Sequence, residues 1–278
     1  MMTIDDFKPD TGQMLEYGFK IRLNQTVIKI LNNFDFSDAN MCPAQVKATM
    51  FSDSEFDSLP TASMMKGLYF ENLALDLGRD IEVPILKNGK KPVDYERIEA
   101  QAEKFKHIKD DHEIMIYSRQ ELIEVDYTEE IKLFGTLDFV SSFRENDEIF
   151  HEKAIVDLKL TSNVYSTFGD YSWAFPANMD HTQAFMYNEL YKIKYGEDLP
   201  FFYMVFDYSP SMNYKIFRKQ IGSIERAQLT ESIRMAIARI QYFDENGWIE
   251  IPRHDRCGNC PLKDTCNKFT NKRNVEVI

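Results

Sequence analysis

The chain has 278 residues, 44% hydrophobic and 13% aromatic, enough for one large α/β domain or two small ones and too apolar for global disorder. Its 33 Lys/Arg against 45 Asp/Glu leave a net charge of −12, which argues against coating nucleic acid or anionic membrane by bulk charge but leaves room for a local basic groove. Four cysteines are too sparse for a disulfide-rich secreted scaffold.

In chain order, apolar spacing predicts one or two helices over 11–33 and a helix over 62–78 that stops near Gly78. The charged stretch 94–109 reads as an exposed helix. From 113 to 161 the pattern turns to strands: EIMIYS, ELIEVDY, IKLFGTLDFVSSF and EKAIVDLKL, divided by polar turns. A helix at 177–193, strands at 201–208 and 214–221, and a long helix at 223–242 follow, before a cysteine-bearing tail from Gly247. This order implies an α/β fold with a mixed central sheet flanked by helices. The longest apolar run, Phe201 to Phe206, is far short of the ~20 residues that cross a bilayer. The acidic start MMTIDDFKPD is unlike a signal peptide, so a cytoplasmic, reducing compartment and no membrane partner are expected.

The strongest chemical signal lies on two strands. One carries Asp138 after Gly135; the other carries Asp157 and Lys159, which alternation places on one side, with Leu158 turned to the core. Charges inside an apolar strand need partners. A cross-strand ion pair would serve, and so would a divalent cation, whose oxygen ligands the two carboxylates provide. The lysine could then orient or deprotonate a water. Glu71, four residues after Gly67 on a predicted helix, is either an inward ligand or an exposed helix residue. His181, Gln183 and Tyr187 fall on the helix after the lysine strand, Gln183 and Tyr187 facing the same way at i, i+4. They read as packing or as a polar edge holding the lysine or a phosphate.

Cys257, Cys260 and Cys266 form C-x2-C-x5-C, and Cys42 is the one thiol left to complete a four-cysteine site. Such a site suits Zn2+ or an iron–sulfur cluster and would tie the N-terminal region to the tail. By analogy with a long disulfide loop, the crosslink would contribute on the order of 5 kcal/mol. The tail is locally basic, with six Lys/Arg against three acids in 251–278.

The order Cys-Pro, G-x3-E, G-x2-D, D-x-K, Q-x3-Y, C-x2-C-x5-C, spanning 42–266, resembles the RecB-like branch of the PD-(D/E)XK nucleases, and within it the iron-staple subgroup of AddB-type nuclease domains, CRISPR-associated exonucleases and phage-encoded relatives. The resemblance implies a single nuclease domain: an N-terminal helical segment with Cys42 (1–62), a restriction-endonuclease-like core (63–246) and a cysteine-rich tail (247–278). It implies that Glu71, Asp138, Asp157 and the Leu158 carbonyl bind Mg2+ or Mn2+, that Lys159 positions the attacking water, and that Gln183 and Tyr187 stand beside the site. Cys42, Cys257, Cys260 and Cys266 would hold a [4Fe–4S] cluster, with Zn2+ as the other occupant. The implied activity is exonucleolytic hydrolysis of single-stranded DNA or DNA ends in recombination, repair or phage DNA metabolism, in the host cytoplasm if phage-encoded. No P-loop is present, so helicase or recombination partners would be separate chains. The alternative is a non-catalytic module with a Zn- or Fe–S-stapled nuclease fold that binds DNA ends or a partner.

Overall fold

Ile21, Arg22 and Leu23 alternate buried, exposed and buried, and form a short strand rather than part of the helix expected over 11–33. The computed structural model describes residues 21–33, 42–51, 61–167, 172–248 and 266. Its elements are β1 (Ile21–Leu23), α1 (Gln25–Asn32), α2 (Pro43–Phe51), α3 (Ala62–Leu75), α4 (Val93–Asp111), β2 (Ile116–Asp126), β3 (Ile131–Arg144), β4 (Phe150–Thr161), α5 (Thr182–Tyr195), β5 (Phe201–Asp207), β6 (Tyr214–Lys219) and α6 (Ser223–Asn246). A short 3-10 turn at Pro176–Asn178 precedes α5. No described helix is long and apolar enough to cross a membrane.

The chain divides into two units, each built from separate segments. The first comprises 1–59, 125–134 and 226–278. Here β1 runs parallel to the start of β3, Ile21 opposite Ile131 and Leu23 opposite Leu133. Asn24 caps α1 by accepting a hydrogen bond from Val27 N at 2.9 Å. Asn32 at its far end donates to the Ser232 carbonyl of α6 at 2.9 Å. The stripe Leu229, Ile233, Ala236, Ile237, Ile240 and Phe243 of α6 is buried, as the helical spacing predicts.

The second unit comprises 60–124 and 135–225 and holds a mixed sheet. β3 pairs with β4 antiparallel, β4 with β5 parallel, and β5 with β6 antiparallel; β2 also pairs with β3. The runs EIMIYS and ELIEVDY are one strand, β2, with Gln120 at φ 49° breaking its alternation. Every residue of β5 is buried, as a strand covered on both faces requires. On one face α3 and α4 supply Phe70, Leu75, Ile98 and Phe105 to a core shared with Phe139, Phe143, Phe202 and Phe206. Phe105 meets Phe139 and Phe206 edge-on, at 6.1 and 6.0 Å. The helix at 94–109 is therefore not an exposed one. It buries Tyr95, Ile98, Ala102, Phe105 and Ile108 at three- and four-residue spacing and exposes its charges on the opposite side.

The turn after β5 is fixed by a buried carboxylate. Asp207 accepts hydrogen bonds from Val164 N (3.1 Å), Ser209 Oγ (2.8 Å) and Asn213 N (2.9 Å). Gln101 of α4 donates to the carbonyls of Asp207 and Asn213 at 2.5 and 2.9 Å. These contacts hold the β5–β6 hairpin in register, and with it the strand beside β4.

Candidate active site

Asp157 lies at the centre of β4 with no exposure. Leu158 turns into the core on the α3–α4 side, so Asp157 and Lys159 face the other way. Lys159 Nζ is 2.5 Å from Asp157 Oδ2, and its side chain keeps 30% exposure, so it sits where solvent reaches the site. Apart from this ammonium, no donor among the described residues reaches either Asp157 oxygen. Such an acid is costly to keep ionised. Burial first, with Asp138 adding to it against the pull of Lys159, pushes its carboxyl up to about 7.

Asp138 stands where the regular β3–β4 register, which begins at Phe139↔Val156, gives out. Its Oδ2 accepts a hydrogen bond from Leu158 N at 2.7 Å. Burial, chiefly, and the charge of Glu71 push Asp138 up to about 7, with Lys159 opposing. Glu71 reaches Asp138 from α3. It accepts from Gln120 Nε2 at 2.8 Å and lies 3.5 Å from Arg79 of the segment after α3. Arg79 in turn donates to Gln120 Oε1 at 2.8 Å. Burial works to lower Lys159, yet Asp157 and Asp138 outweigh it and hold the ammonium above its usual range.

Tyr187 and Gln183 close the site from α5. Gln183 Nε2 donates to the Tyr187 hydroxyl at 3.0 Å. Burial and then the charge of Asp157 raise Tyr187, so its hydroxyl keeps its proton. Gly135 makes this placement possible. A Cβ there would stand 2.8 Å from Tyr187 Cε1 and 3.1 Å from Leu190 Cδ1. Gly135→Ala is expected to push α5 and Tyr187 outward, at about 1–3 kcal/mol from overpacking. A thermal melt reads the cost; an unchanged melting temperature would show that Tyr187 gives way freely.

The structure thus brings Glu71, Asp138, Asp157, Lys159, Gln183 and Tyr187 into one neighbourhood within the second unit. His181 has its Nε2 2.7 Å from the Pro176 carbonyl and its ring tilted on Tyr203. Gln120 and Arg79, both on Glu71, carry no motif. They come from positions 49 and 8 residues away, which only the tertiary fold joins. Among the described residues no three His, Cys, Asp or Glu side chains stand as a ready metal-binding group; Lys159 neutralises the acids here. The donor set nevertheless fits a hard divalent cation: oxygen ligands only, one a buried carboxylate that no donor but Lys159 reaches among the described residues. Of the cysteines, Cys42 and Cys266 are half-buried, and the Cys42 carbonyl accepts from Val46 N at 3.1 Å in the first turn of α2. Cys257 and Cys260 lie outside the described residues, and with them the expected four-cysteine site.

No protein-family model and no curated protein matches the sequence. Among solved structures, a candidate exonuclease from Eubacterium rectale is similar over 100% of this chain and 96% of its own, with a TM-score of 0.56 and 14% identity. An alkaline exonuclease from Laribacter hongkongensis matches with a TM-score of 0.44 and 8% identity over 81% of this chain and 90% of that one. The complex of that enzyme with dAMP gives 0.45 and 9% over 82% and 90%. The first similarity shows the fold: a mixed α/β sheet flanked by helices, of the kind found in an exonuclease-like structure.

Proposed function

We propose that the chain is a metal-dependent deoxyribonuclease of the RecB-like type that hydrolyses phosphodiesters. The observation that carries this reading is the fully buried Asp157, whose carboxylate meets the Lys159 ammonium and no other donor among the described residues, set beside Asp138 and Glu71. A purely structural acid would be held by backbone and hydroxyl donors, as Asp207 is. Glu71, Asp138, Asp157 and the Leu158 carbonyl would hold Mg2+ or Mn2+. When bound, the cation supplies Lewis-acid activation and charge neutralisation at the phosphate. In the metal-free protein Asp157 and Asp138 keep the Lys159 ammonium charged; in the working site it would orient a water and offset charge developing on the phosphate. Tyr187, protonated and oriented by Gln183, offers its hydroxyl proton to a phosphate oxygen. Substrate is single-stranded DNA or DNA ends, and partners are separate helicase or recombination proteins.

The test is cleavage of 5′- and 3′-labelled single- and double-stranded DNA with Mn2+, with EDTA as control. Shortening from one end supports the exonuclease. No cleavage of any strand by the wild-type chain with Mg2+ or Mn2+ overturns it and favours the binding module. The C-x2-C-x5-C run with Cys42 supports a metal or [4Fe–4S] staple. Cys42→Ser is expected to lower bound iron, or zinc if that is the occupant, in anaerobically purified protein. Undiminished metal content would remove Cys42 from the ligand set.

A further inference from the structure

β6 carries an assembly that the cleavage chemistry leaves unused. Its Tyr214 and Ile216 pack against the α3–α4 core, so Lys215, Phe217 and Lys219 project from the opposite face, that of Asp157 and Lys159. The register ties them together. Phe217 lies opposite Tyr203, which lies opposite Asp157; Lys215 lies opposite Val205, which lies opposite Lys159. Two strand spacings, about 10 Å, separate the lysine and the ring from the acids.

Tyr165 and Trp173, which lie between β4 and α5 in the chain, bring aromatic rings to this end of the face. Trp173 stacks on Phe217 at 5.7 Å and 20° and meets Tyr203 at 5.2 Å. Tyr165 is 57% exposed. Among the described residues Arg218 makes the close ion pair of β6, reaching Glu145 at 3.0 Å. Lys215 and Lys219 lie over rings, and, after the hydrogen bond from Gly222 N, the charge of Lys219 also helps to lower the Glu225 carboxyl. Lys215 Nζ is 4.1 Å from the Tyr165 centroid and 6.0 Å from that of Phe217, and Lys219 Nζ is 5.2 Å from that of Phe185.

Lysines on an outer strand also guard against edge-to-edge pairing. That accounts for the charges but not for the exposed tyrosine beside them, which rests above the packed Trp173–Phe217 pair. Two ammonium groups beside an exposed aromatic ring match a polynucleotide whose phosphates meet the lysines while an unstacked base lies on Tyr165. In a duplex the base faces are already stacked and unreachable. In a chain of net charge −12, such a basic aromatic strip stands out as complementary to phosphate.

We propose that Lys215, Lys219 and Tyr165 form a track that holds an unpaired polynucleotide strand and leads it toward Asp157, with the Trp173–Phe217 stack as its floor. The track's destination rests on the nuclease reading; the binding does not. The test is fluorescence anisotropy of labelled oligothymidylate and oligouridylate on the full chain in EDTA, so that nothing is cut, with a duplex as the third probe. Tyr165→Ala is expected to weaken single-strand binding about 5- to 150-fold, with Tyr165→Phe near wild type. Lys215→Gln with Lys219→Gln is expected to lower the slope of log affinity against log salt by about 1.4. Loss on either strand supports the track and identifies the sugar it takes. Unchanged affinity in all variants, or equal loss on the duplex, overturns it. Wild-type binding without any cleavage would sink the nuclease reading and leave the track. Cleavage with unaltered variant binding would do the reverse.

Discussion

Asp157→Asn is expected to abolish DNA cleavage and yet raise the melting temperature of the metal-free protein above neutral pH. The two effects share one cause. Burial lifts the Asp157 carboxyl from its ordinary 3.8 to about 7. Between these values the folded state binds a proton there that the unfolded state has released, so stability falls as pH rises through the window. Above it, the folded protein bears the full cost of an ionised, buried acid, a few kcal/mol at about 1.4 kcal/mol per unit. Asparagine keeps the shape without the charge, and Lys159 still has Asp138. Melts of metal-free wild type should rise by several degrees from pH 8 to pH 5; those of the variant should rise less. Mn2+ should reverse the order, because only the wild type gains ligand stabilisation, about 2.7 kcal/mol at a hundredfold excess over Kd. Activity should drop more than about 100-fold, since loss of even an outer partner of a metal ligand costs 10- to 100-fold. A variant that is less stable than wild type at pH 8 without metal, and no less active with it, would show Asp157 to be an ordinary structural acid.

The sequence makes this acid visible because a period of two leaves no freedom: in AIVDLKL, if Leu158 is core, Asp157 and Lys159 must share the other face. The α3 helix and the β4–β5 pair are legible for similar local reasons, a cap at Thr61 and runs of branched and aromatic residues. Three other features are not. β1 hides because Ile21 and Leu23 also fit the helical spacing of the residues around them, and its strand character comes from pairing with Ile131–Leu133, over a hundred positions on. The burial of α4 is masked by its many charges, although Tyr95, Ile98, Ala102, Phe105 and Ile108 form a stripe that counting by three and four would find. Gln120 defeats any period. Its left-handed backbone resets the phase of β2 and delivers the side chain to Glu71, a contact that no spacing encodes. The Gly135 motif has a physical reason that only the fold displays, the 2.8 Å approach of Tyr187 to the place of its missing Cβ.

Lys159→Gln should have the opposite signature to Asp157→Asn in stability and the same one in activity. Removing the ammonium leaves Asp157 and Asp138 without the charge that offsets their burial. Breaking a buried pair from one side costs about 3–5 kcal/mol, which corresponds to a fall of roughly 10 °C for a chain of this size. The loss should be large at pH 8 and shrink toward pH 5, because protonated carboxyls no longer need the lysine. Adding Asp157→Asn should recover part of the melting temperature, since the second change removes one of the charges that the first left exposed to the low dielectric. Mn2+ should restore stability to Lys159→Gln, taking over the neutralisation, but should not restore cleavage, which also needs a donor to hold the water. That split separates a lysine that only pairs from one that also positions. If Mn2+ rescued rate and melting temperature together, charge balance would be the whole of its role, and the water would have to be held by Tyr187 or Gln183 instead.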